Sequence, residues 1–188
     1  VPIDVDAPAE VVAGETVALR VHVTNNKVGH DFPTGPLDII QAWIELSVTD
    51  DAGRVVFASG QRDSGHMIET GTFMFKAEPI DRYGNLIDRH NLWEMVGVRF
   101  RRSLFPGAAE VASYEFGCPG SEGALMQDLP QVRTEPLTVP ADAAGSLHVR
   151  AQLNYRKVDQ YLLDSLFGKE SGVTSPVTVV SEDRAVIR

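Results

Sequence analysis

Over residues 16–24 apolar and polar side chains alternate, with Val17, Leu19, Val21 and Val23 on one face and Ala18, Arg20 and His22 on the other. A period of two over that length predicts a half-buried strand. Ala42, Ile44, Leu46 and Val48 alternate in the same way with Trp43, Glu45 and Ser47, which puts Trp43 on the outward face. Asp50-Asp51-Ala52-Gly53 is a turn sequence, and Arg54-Val55-Val56-Phe57-Ala58 after it completes a predicted hairpin. Further strands are expected over 72–76, over 96–101 with Val98 and Phe100 on one face, and over 110–116. Leu147, Val149, Ala151 and Leu153 alternate with His148, Arg150 and Gln152, and a last strand over 177–180 precedes a polar tail.

One segment has helical spacing instead. Val158, Tyr161, Leu162, Leu163 and Leu166 recur on one side of a helix, and Gly168 supplies a stop. Short strands punctuated by 16 glycines and 11 prolines favour antiparallel over parallel α/β architecture. The expected fold is therefore all-β, an antiparallel β-sandwich of the immunoglobulin-like kind, with one short helix near the C-terminus closing one end. No linker or repeat divides residues 1–188, which read as a single domain. Residues 117–140, with Cys118, Pro119, Gly120, Gly123 and Pro130, form a long irregular excursion of the kind that often faces a partner.

Charge narrows the function classes. Acidic side chains outnumber basic ones 26 to 17, a net charge of −9, and the only lysines are Lys27, Lys76, Lys157 and Lys169. Such a chain lacks the dense positive face that phosphate backbones require. No apolar run approaches the roughly 20 residues of a membrane-spanning helix. The opening residues have no basic and apolar export pattern, so a signal is either absent or already removed. The single cysteine, Cys118, excludes an internal disulfide, a paired-cysteine zinc site and the Cys-x-x-Cys-His needed for covalent c-type haem.

Candidate chemistry concentrates in residues 25–35, Asn-Asn-Lys-Val-Gly-His-Asp-Phe-Pro-Thr-Gly, between two strands. Imidazole and carboxylate at His30 and Asp31 suit acid–base or metal chemistry. The alternative is architectural: a loop shaped by Gly29, Pro33 and Gly35 with His30 hydrogen-bonded to backbone. His22 and His148 lie on outward strand faces, His66 and His90 in turns, and no two histidines have ligand spacing. Nucleophile-elbow and phosphate-loop motifs are missing, and nothing in the sequence sets a base beside Cys118. Arg99, Arg101 and Arg102 are either a solvated strand edge or a docking patch for carboxylates, including haem propionates. Leu125, Met126 and Leu129 offer apolar contact in the long excursion. No catalytic, cofactor or metal residue is expected, and the candidate interaction residues are His30, Phe32, Arg99, Arg101, Arg102, Leu125 and Met126.

The order of these features resembles a known family. Residues 25–35 with Asp38, Gln41 and Trp43, then Asp50-Asp51-Ala52-Gly53-Arg54-Val55-Val56-Phe57 and Ser59-Gly60, are similar to the β-sandwich domain attached to multihaem c-type cytochromes. That family carries a Gly-His-x-Phe-Pro-Thr-Gly loop, a Trp-containing strand and a hairpin ending in Ser-Gly. Tyr83-Gly84-Asn85, His90-Asn91-Leu92-Trp93, Pro106-Gly107 and Leu153-Asn154-Tyr155-Arg156 match its later landmarks, so the likeness runs from about residue 11 to residue 180. It departs from the family in having no haem-attachment motif.

The resemblance implies a periplasmic or extracellular, non-catalytic accessory subunit without a cofactor of its own. Such a subunit would pack on a multihaem cytochrome or on a membrane electron-transfer complex bearing one, a photosynthetic reaction centre being one setting. The family's loop histidine corresponds to His30. Two other readings stay open at this point. One is a small metal-binding or enzymatic domain using His30, Asp31 and His90. The other is a carbohydrate-binding sandwich that stacks sugars on an exposed Trp43 or Trp93.

Overall fold

The computed structural model describes residues 1–12, 14–114, 142 and 145–188. Its strands are β1 (Ile3–Asp6), β2 (Leu19–Thr24), β3 (Gln41–Asp50), β4 (Val55–Ser59), β5 (Met74–Phe75), β6 (Ala77–Ile80), β7 (Gly97–Arg101), β8 (Ala109–Tyr114), β9 (Leu147–Arg156) and β10 (Thr178–Ile187). The helix α1 (Gln160–Phe167) follows β9. Every pairing is antiparallel. One sheet has the order β1-β2-β8, a second the order β10-β9-β3-β4 with β5 also on β3, and β6-β7 form a separate ribbon.

The alternation becomes a core because the two sheets turn their apolar faces toward each other. Leu19 and Val21 pair with Tyr114 and Ala112 in one sheet. Ile44, Leu46 and Val48 pair with Leu153, Ala151 and Val149 in the other. All of these side chains join one buried cluster with Phe57, Phe73, Phe75 and Leu104. Across the gap Phe57 meets Tyr114 edge-on, with centroids 6.1 Å apart. Each fully buried leucine or isoleucine contributes about 1.5–3 kcal/mol, so this face-to-face packing holds the sandwich together.

The helix forms where its spacing predicts. The Asp159 side chain caps its start by accepting from the Leu162 N–H at 2.7 Å. Gly168, at φ 80°, ends it, and Leu162 anchors its buried side.

One expectation about the strands needs correction. Residues 181–187 are not a tail: β10 continues to Ile187 in register with β9. The inward positions Ser181 and Asp183 are polar because they lie at the open margin of the sandwich, beside β1. There Ser181 Oγ donates to the Val1 carbonyl at 2.8 Å, and Asp183 Oδ2 accepts from the Val5 N–H at 2.7 Å. The strand expected over 96–101 forms as β7, but Val98 is 48% exposed, because β7 pairs with β6 in a ribbon outside the shared core. The last two positions of the expected strand 110–116, and the excursion 117–140 with Cys118, Leu125 and Met126, lie outside the described residues.

On the outer face of the larger sheet, Glu182 accepts from Arg150 Nη2 at 2.7 Å and from Gln152 Nε2 at 2.9 Å, and Arg184 approaches its other oxygen at 2.7 Å. Hydrogen bonds from Arg150 and then Arg184 hold its pKa down at about 2, against an ordinary 4.5. A carboxyl with a depressed folded-state pKa stabilises the fold above its unfolded pKa and loses that contribution as pH falls. The melting temperature of the native chain should therefore drop between about pH 4.5 and pH 2 more than that of Glu182→Gln. Equal acid sensitivity of the two would show that this cluster contributes nothing.

Candidate functional site

The loop that leaves β2 is built around Asn25, which is fully buried. Its side-chain amide donates to the carbonyls of His30 (2.9 Å) and Leu104 (3.0 Å), and its oxygen accepts from the Val28 N–H at 3.1 Å. Phe32 and Leu104 exchange both backbone hydrogen bonds at 2.8 Å, across a cis Phe32–Pro33 connection. The Phe32 ring packs edge-on to Phe75 at 6.1 Å and thus belongs partly to the core. His30 is exposed, and its Nδ1 lies 2.8 Å from the Asp31 carbonyl. That is the arrangement the architectural reading of the loop describes.

Asp31 connects this loop to the arginines. Its carboxylate accepts from Arg101 Nη2 at 2.9 Å and from Ser103 Oγ at 3.4 Å. The structure therefore brings His30, Asp31, Phe32 and Arg101 to one end of the molecule. Arg99 is tied elsewhere, with Nε and Nη2 donating to Glu78 Oε2 at 3.1 and 2.9 Å, while Lys76 Nζ reaches the other oxygen at 2.5 Å. Burial pushes the Glu78 carboxyl up, but the hydrogen bonds and charges of Lys76 and Arg99 outweigh it and keep the group below the ordinary carboxylate value. Arg102 lies over the Phe73 ring at 4.0 Å and the Phe100 ring at 5.5 Å, at the margin of the core, where burial lowers its pKa. The three arginines are thus two partnered cations and one stacked one. Arg101, with a side chain 54% exposed, offers the most to a partner.

The remaining histidines have their own positions. His90 Nδ1 lies 2.7 Å from Asp38, and His148 Nε2 lies 2.6 Å from Asp51, so His148 is more than a solvated strand residue. Among the described residues no group of three or more His, Cys, Asp or Glu is assembled for a metal ion.

Trp43 cannot serve as a sugar platform. It does face outward from β3, but it is fully buried, with Nε1 donating to the Gly60 carbonyl at 3.0 Å and the Arg156 guanidinium 5.8 Å from its ring. Trp93, in the 3-10 turn Leu92–Glu94, is 82% exposed. With Met95, Val96 and Val98 it forms an uncovered apolar run leading into β7, and Phe105 is exposed beyond Arg101. Sequence reasoning missed this run, because alternation in β7 is the same whether or not a second layer covers it.

The fold and its exposed ribbon define a class, an all-β two-layer antiparallel sandwich. No protein-family model matches the sequence, and no curated protein matches it. Among solved structures the chain is similar to a penta-haem cytochrome c552 from Thermochromatium tepidum, at a TM-score of 0.58 and 17% identity. The match covers 97% of this chain and 39% of that one, so this chain spans well under half of the cytochrome. At that identity the likeness is one of fold alone.

Proposed function

We propose that this sandwich is a non-catalytic accessory domain that packs on a multihaem c-type cytochrome, or on a membrane electron-transfer complex bearing one, outside the cytoplasm. The observation that carries the proposal is the fold match to a penta-haem cytochrome over nearly the whole of this sequence, combined with the absence of any Cys-x-x-Cys-His in it. A sandwich of this fold without haem attachment has contact as its available role. Contact surfaces concentrate aromatic, methionine and arginine side chains. The run of Trp93, Met95, Val96 and Val98, together with Phe105 and Arg101, has that composition.

The test mixes the purified chain with a purified penta-haem c-type cytochrome and follows co-elution by haem absorbance and binding by calorimetry. Saturable 1:1 association is expected. The double variant Trp93→Ala/Val98→Glu should weaken it at least about tenfold with little change in melting temperature, since Trp93 is largely exposed and Val98 about half exposed, both outside the core. Arg101→Glu should weaken it mainly at low salt. Lack of association at any salt concentration overturns the proposal, and stoichiometric metal in the purified chain would favour a site at His30 and Asp31 instead.

A further inference from the structure

A cavity of about 420 Å³ lies over the outer face of the larger sheet, where β3 begins and β9 ends. Residues 67–72 wall it on one side, Met74 and residues 76–78 on another, and Asp159 and Tyr161 at the start of α1 on a third. Its volume is in the range of small-molecule sites, roughly 300–1,000 Å³. Arg156, the last residue of β9, lines it and is only 2% exposed.

Arg156 is the group in this wall that lacks a matching charge. Its Nε donates to Gln41 Oε1 and its Nη1 to the His66 carbonyl, both at 2.6 Å, and both acceptors are neutral. Among the described residues no carboxylate forms an ion pair with it, and Asp159 acts on it only at longer range. Burial draws its pKa down to about 10, so it stays charged at neutral pH. A guanidinium has five N–H donors in a planar fork, and Nη2 has no acceptor among the described residues. Burying a charge without its partner is unfavourable, an arrangement suited to receiving a carboxylate from outside. Of the other charged side chains of the wall, Asp38 is engaged with His90, Lys76 and Arg99 with Glu78, and Asp88 with Arg89, and Glu69 is a further carboxylate there.

The wall carries negative charge as well. Asp159, three residues after Arg156, lines the same cavity and caps α1 through Oδ1, and burial pushes its carboxyl up even though the Leu162 N–H, Arg156 and Lys76 act against it. Ile40, Met67, Ile68, Met74, Leu86 and Ile87 supply an apolar surface between these charges.

We propose that this cavity binds a small zwitterion with an apolar side chain, an α-amino acid by chemical class, with its carboxylate on Arg156 and its ammonium on Asp159. None of the side chains proposed for docking lines this cavity, and the proposal does not depend on that reading.

The probe is L-leucine, titrated into the full chain by calorimetry and followed by thermal shift. Saturable 1:1 binding with Kd of about 1 mM or tighter is expected. 4-Methylpentanoate lacks the ammonium and 3-methylbutylamine lacks the carboxylate, so each should bind at least tenfold more weakly. Arg156→Gln should abolish binding. Because Arg156 also holds residue 66 to the sheet, that variant can lose fold as well as ligand. Thr70→Trp alters an exposed wall residue and should block the cavity with the melting temperature nearly unchanged. No saturable leucine binding by the native chain overturns the proposal. So does undiminished binding by Thr70→Trp, or 4-methylpentanoate binding as tightly as leucine.

Discussion

Gly60→Ala is expected to destabilise the sandwich by about 2–5 kcal/mol, far more than its added methyl suggests. Gly60 directly follows β4 and has φ 76°, in the left-handed region where a side chain alone costs about 1–2 kcal/mol. A Cβ there would lie 2.2 Å from the Ile44 carbonyl oxygen and 3.1 Å from the Glu45 Cα. Both atoms belong to the backbone of β3, which is flanked by β9 and β4 and registered to β9 along all ten residues. That backbone cannot retreat without breaking its ladder. The Gly60 carbonyl also accepts the Trp43 indole N–H, so a displaced turn would strip a fully buried donor of its partner. Gly84→Ala is the control: φ is 84° there, but a Cβ would meet nothing within 4 Å. It should cost only the conformational strain, about 1 kcal/mol. Denaturant unfolding followed by tryptophan fluorescence reads both variants. Equal losses at the two glycines would mean that β3 yields easily, against the rigidity its pairing implies.

The neighbourhood of Gly60 illustrates what was legible in the sequence. Alternation in β3 and β9 set the strand, its inward face and its outward face correctly, because both strands pack against a full second layer. It gave Trp43 the right direction and the wrong environment. A period of two reports which side a residue takes, and nothing about a loop folding back over that side. Here the turn at Asp63, which accepts from the Met67 N–H, brings the His66 carbonyl onto Arg156, whose guanidinium lies 5.8 Å from the indole ring, and Gly60 takes the indole N–H. The same reason hid the cavity, whose walls come from elements far apart in the chain. Asp183 and Ser181 made the end of β10 look like a polar tail because their partners are backbone atoms of Val5 in β1 and of Val1 before it, nearly the whole chain away. The arginines of β7 looked like one cationic patch because spacing cannot show Glu78, 21 residues before Arg99, or Asp31, 70 residues before Arg101. The loop of His30 was more readable, since its glycines and proline announce shape. Its actual keystone, Asn25, was quoted in the motif without a role.

Asn25→Ala should destabilise the protein by about 2–4 kcal/mol, whereas His30→Ala should cost less than about 1 kcal/mol. Asn25 ends the run from β2 and makes three side-chain hydrogen bonds, to residues 28, 30 and 104. Its backbone adds two more, donating to the Ala108 carbonyl at 2.9 Å and accepting from the Gly107 N–H at 2.7 Å. One buried amide thereby joins β2, the loop that carries His30 and the turn before β8. Truncation removes the donor from two carbonyls and the acceptor from the Val28 N–H. The Leu104 carbonyl keeps its bond from the Phe32 N–H, which limits the loss. Asn25→Asp should be at least as damaging, because it preserves shape while turning a carboxylate oxygen toward the His30 and Leu104 carbonyls. The His30 side chain, by contrast, is exposed, and among the described residues its one hydrogen bond is to the carbonyl of the next residue. Since Asp31 and Phe32 follow it, loosening the loop also releases Arg101 from its carboxylate and the Phe32 ring from Phe75. Association with a cytochrome should therefore weaken in Asn25→Ala and hold in His30→Ala, if docking uses this end of the sandwich. Denaturant midpoints of the three variants, read beside their binding, separate the roles. A His30→Ala loss equal to that of Asn25→Ala would transfer the keystone role to the histidine and reopen its chemistry.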